Sequence, residues 1–545
     1  MDIGVAHMSK HISDKRDLGE CKVGPAAAGE RRREAFCKRL AAARYQKNLP
    51  YPKFSGQWQD YPGIEEDLLK EFLELFFGNP CPLDEAQQSY SKGLPHNKRG
   101  EVKRKAYQAL LSALAKGTPE ALEAIPLGGV TKLANPQAAY AFELVGPDSH
   151  HMGMTDSPEF SSAQTASEMA EVYWQALARD IPFTNYEDNP ITQAAAEDLA
   201  KFTDFRGPQV KGKVTPGTLF RGDTPGDLVG PYVSQFLWQD IPYGATKVVQ
   251  SYQTTAAGDD HLTNYQEWLA IQNGHAPKQA NQYDPVPRYI RNGRDLGEWV
   301  HRDFSCQSPL SAALILLGYG QGALSKANPY LYSKTQGGFG TFGAPHVIDF
   351  VARSSRAAFL AAWYQKWMRY NRIRPEEFAG RVHNLLTEKA NYPIHPELLN
   401  SQVLAQIFKK YGTYLLPLAY AEGCPTHPAY PAGHACIAGA GVTMLKAFFY
   451  ERFVIPKPVM ASPDGLSLLP YSGPPLTIGG ELNKLAANIA LGRDFAGVHW
   501  RSDGIEGLKL GEAVAIGILK DYSHTYHENF QGFTLTKFDG TKIKI

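Results

Sequence analysis

The chain has 545 residues, 43% of them hydrophobic and 20% charged, which is enough apolar material for a large buried core. Its 56 Lys and Arg nearly cancel its 55 Asp and Glu, which excludes the global basic field that would attract nucleic acid or an anionic membrane. Any anion binding has to be local.

The six cysteines (Cys21, Cys37, Cys81, Cys306, Cys424, Cys436) lack CxxC spacing. This argues against a zinc site and against a dense disulfide framework, while leaving room for an occasional pair. Residues 1–22 are polar with no apolar h-region, and the best apolar run, 312–317, is too short to span a bilayer. The expectation is a soluble protein without a visible export signal, cytoplasmic by default.

Residues 1–30 read as a mobile leader. A basic amphipathic helix follows over 31–47, stopped by the Pro-, Tyr- and Trp-rich stretch 48–60. Apolar residues three and four apart predict helices over 63–77, 102–116, 137–145, 159–179 and 190–202. From 204 to 280 Gly and Pro cluster, which predicts long loops with minor strands. An apolar helix is expected at 308–317. Gly338-Phe-Gly340-Thr-Phe-Gly343 has the form GxGxxG, but no Val/Ile strand precedes it and Pro345 follows, so a dinucleotide site is not expected.

Residues 347–374 read as one long helix, with further helices over 376–387, 396–411, 434–453, 481–494 and 503–524. The alternation around Asp539-Gly540 over 532–545 predicts a C-terminal hairpin. The fold class expected is mainly α: two packed helical bundles around an oxyanion pocket, with minor β hairpins. A division into 1–340, a helical and loop region with oligomer contacts, and 341–545, a catalytic bundle, is a convenience, because composition shows no sharp break and one continuous domain fits equally.

Three stretches carry chemistry. Lys366 and Arg374 are eight residues apart, so on one helix they lie about 80° apart in azimuth and about 12 Å along the axis, within reach of one ligand. The bland alternative is a solvated charged face of Lys366, Arg369, Arg372 and Arg374. Pro431-Ala432-Gly433-His434 opens a small-residue helix, and a helix start offers free N–H groups to an anion beside a proton donor. Arg493 and His499 are separated by Gly497, which permits a helix end and a turn, and Asp503 lies one turn beyond His499, where it can hold the second ring nitrogen. Together they offer a Lys, two Arg, two His and helix amides, an inventory suited to a tetrahedral oxyanion.

Lys366-x7-Arg374-Pro375, Pro431-Ala432-Gly433-His434 and Arg493-x3-Gly497-x-His499-x3-Asp503 resemble the three-part signature shared by vanadium-dependent haloperoxidases and type 2 phosphatidic acid phosphatases. Flanking residues 426–430 and 481–486 are similar to the bromoperoxidases of red algae and cyanobacteria. The resemblance implies a vanadate cofactor, with phosphate able to take the same site. It places His499 on the vanadium as metal ligand, Lys366, Arg374, Arg493 and the Gly433 amide on the oxygens, Asp503 behind His499, and His434 as acid–base group. It implies hydrogen peroxide, halide and small organic molecules as partners, hypohalous acid as product, and a homo-oligomer.

His427 matches the second active-site histidine of bromoperoxidases and favours bromide, whereas Trp363 is of the type found in fungal chloroperoxidases. His427 weighs more, since its surroundings also match. One departure stands out: the family usually has Ser where this chain has Ala432, which removes a hydroxyl bond to the anion. The alternatives are a soluble acid phosphatase on the same pocket, a cofactor-free rearrangement enzyme and a non-catalytic anion-binding assembly protein.

Overall fold

The computed structural model describes residues 28–49 and 83–545. Residues 1–27 of the expected leader and the helix over 63–77 lie outside the described residues, and residues 28–30 belong to the first helix instead of the leader. Helix α1 (Ala28–Lys47) ends before Asn48, close to where the sequence placed its stop. The first half supplies α2 (Arg104–Lys116), α3 (Ala163–Ala178) and α4 (Pro190–Leu199). Ser162 caps α3 by accepting from the Thr165 amide, and Asn189 caps α4 with Pro190 in its first turn. The helix expected over 137–145 is only a 3-10 turn, Pro136–Tyr140.

The region 204–280 is mostly irregular, as its Gly and Pro content predicts, and carries the β1 (Ile241–Tyr243) and β2 (Thr246–Val248) hairpin. It also contains α5 (Tyr265–Gln272), which the loop assignment missed. Asn264 starts α5 by accepting from the Gln266 and Glu267 amides. Two further helices follow, α6 (Gly293–Arg302) and α7 (Gln307–Gly318). Gly293, Gly297 and a high charge content conceal α6 in the sequence, although Leu296, Trp299 and Val300 have helical spacing and are buried.

The long helix expected over 347–374 is a different object. α8 runs Ala344–Tyr364, a π-helical turn occupies Gln365–Tyr370, and Asn371 ends it in the left-handed conformation. The Asn371 amide donates to the Lys366 carbonyl, an i to i−5 bond characteristic of a π turn. Arg374 therefore sits on no helix with Lys366. It is the extended N-cap (φ −85°, ψ 154°) of α9 (Pro375–Leu386), with Pro375 as first helical residue. The helix expected over 396–411 breaks into one turn, Pro396–Leu399, and α10 (Gln402–Tyr411), capped by Ser401.

The second half closes around α11 (Gly433–Phe448), α12 (Ile478–Phe495) and α13 (Arg501–Ser523), with α11 packed on α8, α12 and α13. Helices α11 and α13 meet backbone to backbone. A Cβ on Gly439 would lie 2.4 Å from the Leu508 carbonyl oxygen, and one on Gly511 2.1 Å from that of Cys436. A hairpin absent from the sequence reading, β3 (Val459–Ala461) with β4 (Leu468–Pro470), lies between α11 and α12. The expected C-terminal hairpin pairs β5 (Thr534–Thr536) with β6 (Lys542–Lys544), Leu535 facing Ile543.

The architecture is mainly α, with two-stranded sheets as the β elements among the described residues. One connected apolar core runs from Ala86 to Phe538 and crosses residue 340 without a break. No described helix is long and apolar enough to cross a membrane. Cys37 is disulfide-bonded, whereas Cys306, Cys424 and Cys436 are free thiols.

Candidate active site

The three signature stretches converge inside the second half. Lys366 and Arg374 are wholly inaccessible, and Arg369 and Arg372 are buried too, so the solvated charged face does not exist. Lys366 Nζ donates to the carbonyls of Pro428 and Ala429, both at 2.8 Å, which ties the π turn to the chain entering α11. Arg374 donates through Nε to the His427 carbonyl (3.0 Å) and through NH1 to the Val498 carbonyl (2.6 Å). Its guanidinium also meets two imidazoles, His499 Nε2 at 3.0 Å and His427 Nδ1 at 2.9 Å. Trp363 packs on His427 with ring centroids 4.8 Å apart, and its indole N–H donates to the Ala134 carbonyl.

His499 is oriented from behind. Gly497 turns the chain at φ +84° after α12, a conformation that costs most residues about 1–2 kcal/mol. The next amide, Val498, donates back to the Arg493 carbonyl at 3.1 Å. His499 Nδ1 then lies 2.7 Å from Asp503 Oδ2, which also accepts from the Trp500 amide at 3.1 Å. Nδ1 is thus the protonated nitrogen, and Nε2 is left with a lone pair to receive the Arg374 N–H. Asp503 is itself held through Oδ1 by Arg372 NH1 at 2.8 Å, and Arg372 continues to Ser502 and Glu168.

Arg493 approaches from α12. Its NH1 donates to the Val300 carbonyl at the end of α6 (2.8 Å) and lies 3.3 Å from the Tyr420 hydroxyl, while buried Nε has no hydrogen-bond partner among the described residues. His434, the second residue of α11, is half-buried, with Nε2 3.0 Å from Asp303 Oδ1 just past α6. Hydrogen bonds do not join His434 to His427 or His499 among the described contacts. Gly433 opens α11, and a Cβ placed there would come within 3.3 Å of Trp363, so the start of the helix packs closely against the aromatic wall.

Ala432 is the N-cap of α11 and makes no side-chain cap. Its amide donates to the Asp503 carbonyl at 2.8 Å, joining the second and third stretches.

The electrostatics are those of an uncompensated cationic pocket. Burial, and then repulsion from Arg374 and Lys366, hold the His499 imidazole well below its ordinary pKa. Burial and then Lys366 and Arg374 do the same to His427. Lys366 is likewise depressed, by burial first and the Arg374 guanidinium next. A tetrahedral oxyanion supplies the missing negative charge, and the orphaned Arg493 Nε supplies a donor for it, so these residues fit vanadate or phosphate. Cavities of about 780 and 380 Å³ lie elsewhere, and none of these signature side chains lines either one.

Sequence reasoning missed Asp303, Arg372 and Tyr420. Arg372 stood in plain view within the Arg-rich stretch. Asp303 and Tyr420 had no local signal, because only the packing of α6 and of the chain before α11 brings them to the signature residues.

A family model described as VCPO second helical-bundle domain matches residues 348–528. The chain is 34% identical to a vanadium-dependent bromoperoxidase of Ascophyllum nodosum, covering 96% of this chain and 93% of that protein. It is 34% identical to that of Corallina pilulifera, over 87% and 94%. The homohexameric structure of the second vanadate-dependent bromoperoxidase of Ascophyllum nodosum superposes with a TM-score of 0.86 at 28% identity, covering 97% of this chain and 95% of that one. With relatedness along almost its whole length and a three-part cationic pocket inside the matched bundle, the chain belongs to the vanadium-dependent bromoperoxidase family.

Proposed function

We propose that the protein is a vanadate-dependent peroxidase that oxidises bromide, and iodide, with hydrogen peroxide to hypohalous acid, which then halogenates small organic molecules. The observation that carries this reading is the buried junction of Arg374, His427 and His499 beside Lys366, where burial and mutual repulsion disfavour positive charge on Lys366 and the two imidazoles, and where an anion would relieve that repulsion. In this reading His499 Nε2, whose lone pair faces the Arg374 N–H, would be the atom that ligates the metal. Lys366, Arg374, Arg493 and the Gly433 amide hold the oxygens. Asp503 fixes the His499 tautomer and raises the basicity of Nε2. When bound, vanadate supplies Lewis-acid activation of hydrogen peroxide toward halide.

His434 is the group that moves protons. Its Nε2 is held by Asp303, and its half-exposed position connects the pocket to water. His427 and Trp363 form the wall that a halide meets, and the histidine supports bromide as the preferred ion. The division near residue 340 separates roles within one continuous core. The second half provides the cradle, and the first half provides Val300 and Asp303 together with the exposed Phe36 and Tyr45 of α1, which suit contacts in a homo-oligomer.

The test is bromination of a phenolic dye by vanadate-loaded protein with bromide and peroxide. Halogenation that requires vanadate, peroxide and halide supports the reading; turnover of phosphate esters without halogenation overturns it in favour of a phosphatase on the same pocket.

A further inference from the structure

The end of α6 reaches the oxyanion cradle twice, through the Val300 carbonyl to Arg493 and through Asp303 to His434. Between these two residues lies His301, in the last turn of α6, where a positive charge is favoured by the helix dipole. His301 Nδ1 is 3.0 Å from Glu298 Oε2, and its Nε2 is 2.6 Å from Glu422 Oε1. Ionised carboxylates only accept hydrogen bonds, so a neutral ring would turn one lone pair toward an oxyanion, and only the imidazolium satisfies both partners.

The ring of His301 also stacks on Tyr420, with centroids 3.8 Å apart and planes 12° apart. Tyr420 in turn donates its hydroxyl to the Gly297 carbonyl at 2.6 Å, and its ring lies 5.4 Å from the Arg493 guanidinium carbon.

We propose that His301 is a positioning residue: protonated, it clamps the segment bearing Tyr420 and Glu422 onto the end of α6 and so holds Arg493 and Asp303 in place for the oxyanion. This rests on the oxyanion reading of the pocket. The other charged and titratable groups around it are Arg302, which binds Glu298 at 3.0 Å and covers Tyr283; Asp303; and Lys92, whose Nζ donates to the Glu422 carbonyl at 2.9 Å. Glu298 is buried and doubly held, whereas the Glu422 side chain is 51% exposed. Glu422 is therefore the partner that swings to water when the ring loses its proton. Burial lowers the His301 pKa, but hydrogen bonds to Glu298 and Glu422 outweigh it and the net shift is upward. The clamp is closed at low pH and opens as pH rises.

The experiment is calorimetric titration of the protein with inorganic phosphate and with vanadate between pH 6 and 9, on the wild type, His301→Gln and Glu422→Gln. Phosphate and vanadate protonation are common to all three and cancel in the comparison. The wild type should lose about fivefold more affinity across the alkaline limb than His301→Gln. In Glu422→Gln, which removes one stabilising carboxylate from an exposed position, the same loss should occur at lower pH. A His301→Gln profile parallel to the wild type, equal or uniformly weaker, overturns the inference, as does an unshifted limb in Glu422→Gln. If the wild type binds neither anion at any pH, the oxyanion reading itself falls; binding with coincident profiles removes only the role of His301.

Discussion

Replacing Ala432 by Ser puts a hydroxyl at the N-cap of α11, at a backbone (φ −69°, ψ 120°) already suited to capping. The hydroxyl has one donor and two acceptor lone pairs. It can accept from the Ala435 amide and still give its own proton to an anion oxygen. The first contact exists without ligand and should stabilise the free protein by about 0.5–2 kcal/mol. The second exists only with the anion. A hydrogen bond to a charged partner contributes about 1.5–3 kcal/mol, or about ten- to 150-fold in affinity, and less where a water already fills the place.

The Ala432 side chain is wholly buried, so bulk water does not compete for the new hydroxyl. Urea unfolding without ligand reads the cap, calorimetry with phosphate and vanadate reads the anion contact, and bromide oxidation by the loaded variant should rise in parallel. Unchanged unfolding together with unchanged anion affinity would refute the reasoning. A gain in stability alone would place the hydroxyl on the helix amides and remove it from the anion.

Asp503→Asn leaves one acceptor oxygen where two served, so His499 Nδ1 and Arg372 can no longer both be satisfied and the His499 tautomer is less firmly fixed; vanadate affinity should fall about 10–100-fold, measured by titration. The same variant should unfold more easily by about 3–5 kcal/mol, since half of a buried ion pair is removed. Gly497→Ala should cost about 1–2 kcal/mol for the left-handed backbone. It should also displace Val498 and His499, because its Cβ would meet Leu418 at 2.9 Å, so anion affinity should fall along with the unfolding midpoint.

His96 is held neutral by burial and then by Arg381, its pKa lowered to about 3. Below its ordinary value of 6.5 the unfolded chain takes up a proton that the folded chain does not, so stability falls with decreasing pH, at about 1.4 kcal/mol per pH unit, until the folded ring titrates. In His96→Gln, urea unfolding between pH 6 and 4 should show a slope shallower by that amount, and an equal slope would contradict the assignment.

How much of this was legible in the sequence follows from the range of the forces involved. Caps, turns and periodicity act over a few residues. The starts of α9 at Pro375 and α11 at Gly433, the turn at Gly497, the His499–Asp503 pair and the C-terminal hairpin could therefore be read from neighbouring residues. The three-part signature was legible for the same reason, since each part is local even though the parts are far apart in the chain.

Tertiary structure decided what lies between those parts. Lys366 and Arg374 share no helix: a π turn and a left-handed Asn371 end it between them, and carbonyls of residues 427–429 and 498 fix the two cations instead. Arg369 and Arg372 look like surface charges by spacing but are interior: Asp503, Glu168 and Trp500 from distant segments enclose Arg372, and Arg369 lies over the ring of its neighbour Tyr370. Asp303, Val300, Tyr420 and His301 meet the signature only because α6 and the chain before α11 pack against one another, and no pattern of a few residues can encode a contact made across more than a hundred.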